Sequence, residues 1–178
     1  MSLDQELATA PDVPAVFLAP ARRHSELHAD ILAAATASGQ TDIDPYAYLT
    51  QPTILRRLAA DLAGALPAGC DRLITQAPAG LPLAAAVSLH TGLPFAALDM
   101  ETAHLHGEVH QGESVAVIHP GAPGTPAALA VAAAATARGA GVSTVLTVLA
   151  DDTPGPADPA GPPVQALFDI RSTGHGPA

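Results

Sequence analysis

The chain lays out one order of elements twice. Residues 71–99, "DRLITQAPAGLPLAAAVSLHTGLPFAALD", read as apolar strand, Gly/Pro turn, helix, turn and apolar strand. Residues 113–152, "ESVAVIHPGAPGTPAALAVAAAATARGAGVSTVLTVLADD", follow the same scheme. Their strand runs are continuously apolar rather than alternating, which is the pattern of strands covered on both faces. Strands that alternate with helices pair in parallel, because a crossover helix returns the chain to the same end of the sheet. The expected fold is therefore α/β, a mostly parallel sheet flanked by helices.

Two helices precede the first unit. "HSELHADILAAATASG" places Leu27, Ile31 and Leu32 on one face, with Gly39 past its end. "QPTILRRLAADLAGAL" has Pro52 in its first turn and turns Ile54, Leu55, Leu58, Leu62 and Leu66 inward. In the second unit Thr125 can cap a helix and Pro126 can open it. After a Pro/Gly connection over residues 153–163, "VQALFDI" supplies one more strand. The organisation expected is a tail over residues 1–20, one domain over 21–172, and a tail over 173–178.

Charge narrows the partners. Seventeen acidic residues face seven basic ones, for a net charge of −10, and all seven are arginines. Nucleic acid and anionic membrane both require a basic surface, so neither is an expected partner. No unbroken apolar run reaches the ~18 residues of a membrane span. The N-terminus lacks a basic start before an apolar stretch, which does not read as a secretion signal. The one cysteine, Cys70, cannot form an internal disulfide, and a cytoplasmic location is expected.

Five stretches, in order, resemble the orotate phosphoribosyltransferases. "TQPTILRRLAADLAGAL" is similar to the helix before the family's first core strand. "DRLITQAPAGLPLAAAVSLHTGLP" is similar to its strand, pyrophosphate loop and helix. "HGEVHQGESVAVI" resembles the mobile loop and the run-in to the ribose-phosphate strand. "VAVIHPGAPGTPAALAVAAAATARGAGV" lies without a gap over the phosphoribosyl-diphosphate motif, and "AGPPVQALFDI" resembles the closing strand. The resemblance covers about Ser38 to Ile170. It implies the phosphoribosyltransferase fold with a small N-terminal hood and a homodimer whose mobile loops reach into each other's sites. It also implies Mg²⁺-dependent transfer of ribose 5-phosphate from phosphoribosyl diphosphate to orotate. On this alignment Ala77, Pro78, Ala79 and Gly80 form the pyrophosphate loop, and Gly121, Ala122, Pro123, Gly124 and Thr125 the 5-phosphate loop.

The charged positions of the resemblance are changed together. His119 and Pro120 stand where the family has an acidic pair that meets the ribose hydroxyls. Pro123 and Pro126 each remove a backbone N–H from the phosphate loop. Asp99 and Met100 replace an Arg-Lys pair, Ala103 or a neighbour replaces the mobile-loop lysine, and Ala37 replaces the lysine before Ser38 and Gly39. A leaving pyrophosphate needs cations and a metal, and one missing charge-assisted contact costs roughly 2–4 kcal/mol of transition-state stabilisation. Mg²⁺ is the family's cofactor, and its site is expected to be lost.

Histidine is what the chain has gained. "HLHGEVHQGE" gathers His104, His106, His110, Glu108 and Glu113. On a strand, His104 and His106 face the same way, so a divalent metal held with His110 or Glu108 is one reading. Acid–base work by His106 on an uncharged substrate is a second, and a solvated polar loop a third. His119 is expected at the C-terminal end of a strand, where open α/β sheets bind ligands. Arg56 and Arg57 read as solvated or as a dimer contact. Tyr46 and Tyr48 either line the hood or pack against it, and Asp151 and Asp152 solvate a strand end.

Three functional readings stay open, beside that of an acidic partner-binding scaffold with no ligand. The first is a non-catalytic binding or regulatory homologue, as a homodimer or paired with an active paralogue. The second is a repurposed enzyme of specialised metabolism that uses His119 and the loop histidines in the old cleft. The third is a divergent but active orotate phosphoribosyltransferase.

Overall fold

The computed structural model of the chain describes residues 20–37, 44–121, 126–150 and 161–169. Three helices lead in: α1 (Pro20–Ala37), α2 (Pro45–Leu49) and α3 (Pro52–Ala65). Then come β1 (Arg72–Ala77), α4 (Leu81–Thr91), β2 (Phe95–Asp99), β3 (Leu105–His106), β4 (Ser114–His119), α5 (Pro126–Thr136), β5 (Gly141–Ala150) and β6 (Val164–Asp169). The six strands form one sheet in the order β3-β2-β1-β4-β5-β6. Every neighbouring pair is parallel except β2 with β3.

The chain leaves β1 toward β2 on one side and leaves β4 toward β5 on the other. The carboxyl ends of β1 and β4 are therefore adjacent while their following loops part, which is the topological switch point where such sheets hold ligands. One apolar layer sets Leu27, Ile31, Tyr48, Leu58, Leu62, Leu83 and Val87 from α1–α4 against Leu73, Ala116, Ile118 and Leu146 of the sheet. On the other face α5 packs Ala128, Val131 and Ala135 against Ile74, Val115, Val117 and Val145. The alternation of Leu73 with Ile74, and of Ala116 with Val117, sends neighbours to opposite faces, as strand geometry requires. Among the described residues no helix is long and apolar enough to cross a membrane.

Some expectations shift. Helix α1 begins at Pro20 rather than near His24, because proline's fixed φ suits a first turn. Leu27 and Ile31 are buried, but Leu32, Leu55 and Leu66 are only half-buried. Arg57 is not simply solvated: its guanidinium donates to the Asp30 carboxylate and to the Arg23 carbonyl, fastening α3 to α1. Arg56 is exposed. The rings of His24 and His28 stack on Phe168, joining α1 to β6 at centroid separations of 4.4 and 5.0 Å.

The amino end of the sheet carries a bidentate clamp. Arg72 Nε and Nη2 donate to the two carboxylate oxygens of Glu113 at 3.0 and 2.9 Å, and the His110 N–H donates to the same carboxylate at 2.8 Å. These donors, the Arg72 guanidinium foremost, hold Glu113 at about 2, below its ordinary 4.5. A depressed carboxylate stabilises the fold above its unfolded pKa and loses that contribution as pH falls toward its folded value. Glu113→Gln should therefore cost about 1–3 kcal/mol at pH 7 by leaving Arg72 half-paired. It should also flatten the fall in stability between about pH 4.5 and 2. Urea melts at pH 7 and pH 3 on both proteins check this.

Candidate functional site

The first loop at the switch point follows β1. Its Ala77–Pro78 bond is cis, the Gly80 N–H donates to the Gln76 carbonyl at 3.0 Å, and the Leu81 N–H donates to the Pro78 carbonyl at 3.2 Å. Gly80 is demanded by space: a Cβ there would lie 1.9 Å from Thr75 Oγ1 and 2.9 Å from the Gln76 carbonyl oxygen. Thr75, fully buried, donates its hydroxyl to the Ile118 carbonyl of β4 at 2.7 Å. Residues 77–80 thus form a tight turn into α4, fixed to the neighbouring strand.

The second loop follows β4. His119 is 4% exposed and ends the strand as expected. Its Nδ1 accepts the Gly121 N–H at 3.1 Å, so the neutral ring carries its proton on Nε2. Burial pushes this imidazole below its ordinary value. The next carbonyl, that of Pro120, accepts the hydroxyl of Tyr48 at 2.7 Å. Tyr48 comes from α2 and is fully buried, and burial pushes its phenol well above the usual value. Of the two tyrosines left open, Tyr48 both packs and reaches the β4 loop, while Tyr46 is exposed. Gly121 is described, whereas Ala122, Pro123, Gly124 and Thr125 lie outside the described residues, as do Ser38, Gly39, Asp151 and Asp152.

The third element is the β2–β3 hairpin at the sheet edge. Asp99 Oδ1 accepts the N–H groups of Glu101 and Thr102 at 2.8 and 3.1 Å. Those donors, that of Thr102 first, lower the Asp99 pKa. The Asp99 N–H closes the turn on the His104 carbonyl at 2.8 Å, with Ala103 at φ 54°. The stretch expected as a mobile loop therefore begins as a paired hairpin. His104 and His106 come together with ring centroids 4.7 Å apart, whereas His110 turns to Glu108 at 3.5 Å. Among the described residues no three His, Cys, Asp or Glu side chains gather to hold a metal ion.

Among the described residues the arginines lie away from these loops, and Arg171 lies outside the described residues. Arg22 and Arg23 sit on α1, Arg56 and Arg57 on α3, Arg72 at the start of β1, and Arg138 beyond the end of α5. Residues 77–80, 100–104 and 120–125, which follow β1, β2 and β4, contain no arginine or lysine. A surface depression of about 630 Å³ between α1 and α3, lined in part by Arg23, His24, Arg57 and Asp61, shares no residue with these loops. The Gly80–Thr75 packing and the Tyr48–Pro120 bond were not legible in advance, since each joins residues distant in sequence or depends on a contact no periodicity encodes.

An open sheet of this order, with helices on both faces and its crossing point between β1 and β4, is the type I phosphoribosyltransferase fold. More particularly, the chain is similar to the orotate phosphoribosyltransferase of Mycobacterium tuberculosis solved with inorganic phosphate. The TM-score is 0.71 at 15% identity, over 83% of this chain and 88% of that one. It is likewise similar to UMP synthase of Leishmania donovani, with a TM-score of 0.69 at 22% identity; 82% of this chain matches 36% of that longer one. A phosphoribosyltransferase of Corynebacterium diphtheriae matches at a TM-score of 0.68 and 17% identity, over 86% of this chain and 99% of that one. No protein-family model and no curated protein sequence matches the chain.

Proposed function

We propose that this chain is an orotate phosphoribosyltransferase-like protein that has lost Mg²⁺-dependent transfer from phosphoribosyl diphosphate and serves as a cytoplasmic, non-catalytic binding or regulatory homologue. The observation that carries this reading is the absence of any lysine or arginine from the loops after β1, β2 and β4. A phosphoribosyl diphosphate bears several negative charges, and without cations its desolvation is not repaid. The residues at the switch point do not suit Mg²⁺ either. Mg²⁺ takes oxygen ligands in octahedral geometry, whereas His119 and Pro120 occupy the positions of the expected acidic pair. Polar groups there also have internal partners: His119 Nδ1 accepts from Gly121, and the Pro120 carbonyl accepts from Tyr48. The assembly in this reading is a homodimer, or a heteromer with an active paralogue.

One observation favours a second reading, a repurposed enzyme acting on an uncharged substrate. A buried, neutral imidazole with its proton on Nε2 stands at the end of β4, where it could exchange a proton with a neutral ligand.

Calorimetric titration with phosphoribosyl diphosphate and Mg²⁺ tests the proposal. No heat at millimolar ligand is expected. Micromolar binding would overturn it and return the chain to the active transferases, with orotate turnover as the next assay.

A further inference from the structure

The β2–β3 hairpin carries an imidazole pair that the switch-point reading does not use. Leu98 pairs with Leu105 and Ala97 with His106, and both leucines enter the core. His106 therefore stands on the opposite face, and His104, two residues back, shares it. Both histidines are exposed, and their rings meet edge to face at a centroid separation of 4.7 Å and an interplanar angle of 79°.

The backbone beneath them is fixed. The Asp99 N–H holds the His104 carbonyl, Asp99 Oδ1 gathers the Glu101 and Thr102 N–H groups, and Gly107 lies so near Ala96 that a Cβ would sit 3.3 Å from its Cα. Asp99 occupies the same face of β2 as Ala97, so its carboxylate adds negative charge beside the pair.

We propose that His104 and His106 chelate a single borderline divalent transition-metal ion, of the Cu²⁺, Ni²⁺ or Zn²⁺ type, with water completing its coordination. At metal–nitrogen distances of about 2.0–2.1 Å, two imidazoles on one ion, at angles between square and tetrahedral, keep their ring centres roughly 4.5–5 Å apart. The separation in this hairpin falls inside that interval, so rotation of the two exposed side chains about their χ angles is what remains to aim one nitrogen of each ring at a shared ion. Imidazole nitrogen selects these ions over Mg²⁺ and Ca²⁺, which prefer oxygen. The two-ligand set leaves coordination positions open to water.

The test is a titration of the tag-free protein with Cu²⁺, read by calorimetry and by the visible absorption of the complex. One saturable equivalent is expected, unaffected by millimolar Mg²⁺. His104→Ala and His106→Ala should each weaken it roughly tenfold or more, since each removes half of the protein ligands. His110→Ala and His24→Ala should leave it unchanged. Both paired side chains are exposed, so circular dichroism of the two variants should match the parent. No binding by the parent, binding that survives in both paired variants, or binding lost with His110 or His24 would each overturn the proposal.

Discussion

Gly80→Ala should abolish a soluble, cooperatively folding protein or cost it upwards of about 3 kcal/mol. Overpacking a well-filled site costs typically 1–3 kcal/mol where neighbours can shift. Here they cannot shift far. The added methyl would meet Thr75 Oγ1 at 1.9 Å and the Gln76 carbonyl at 2.9 Å. Thr75 is buried and bonded to the Ile118 carbonyl, so moving it breaks the link between β1 and β4. Gln76 O accepts the Gly80 N–H itself, so moving it opens the turn into α4. The double variant Gly80→Ala/Thr75→Ala separates the two contacts. It removes the closer clash and leaves the carbonyl, so it should recover part of the lost stability but not all. Urea denaturation of the parent, the two single variants and the double variant measures the coupling. A Gly80→Ala protein as stable as the parent would show that the loop is not packed as described.

Tyr48→Ala should be nearly as damaging, at about 3–5 kcal/mol, the usual cost of truncating a fully buried aromatic ring. Tyr48→Phe keeps the ring and removes only the hydroxyl, leaving the Pro120 carbonyl without that donor, and should cost about 1–3 kcal/mol. The difference between the two variants isolates packing from the hydrogen bond. The location makes the second number informative about the site. Helix α2 has five residues and cannot persist by its own backbone bonds. It is held by the burial of Tyr48 and Leu49, by Asp44 capping its first turn, and by the tyrosine hydroxyl on the loop after β4. Amide hydrogen exchange should therefore quicken both in α2 and at His119 and Gly121 in Tyr48→Phe. Faster exchange in α2 alone would show that the hydroxyl does not couple the two.

Much of the architecture was readable because it rests on local pattern. The two strand–turn–helix–strand units, the inward faces of α1 and α3 at Leu27, Ile31, Ile54, Leu58 and Leu62, and His119 at the end of β4 all appear where the apolar spacing puts them. Strand β3 was not readable. Two residues, Leu105 and His106, are too short to show a period, and the stretch from His106 resembled a mobile loop, with a strand only one of the readings open for His104 and His106. Only pairing with β2 makes them a strand and sets His104 against His106. Arg57 shows the same limit. Its charge predicts solvent, but the Asp30 carboxylate and the Arg23 carbonyl that receive it belong to another helix.

The sequence by itself determined the class of fold and the chemistry available at its carboxyl end. Hydrophobic periodicity acts between neighbours in the chain, and the lack of any lysine or arginine in the loops after β1, β2 and β4 is a property of composition alone. The tertiary structure decided strand order, the antiparallel edge, and which polar groups meet. Tyr48 and Pro120 are 72 residues apart, and Thr75 and Ile118 are 43 apart. Each contact forms only when packing has already brought β1, β4 and α2 together, because a buried hydroxyl takes whatever carbonyl the fold places within reach.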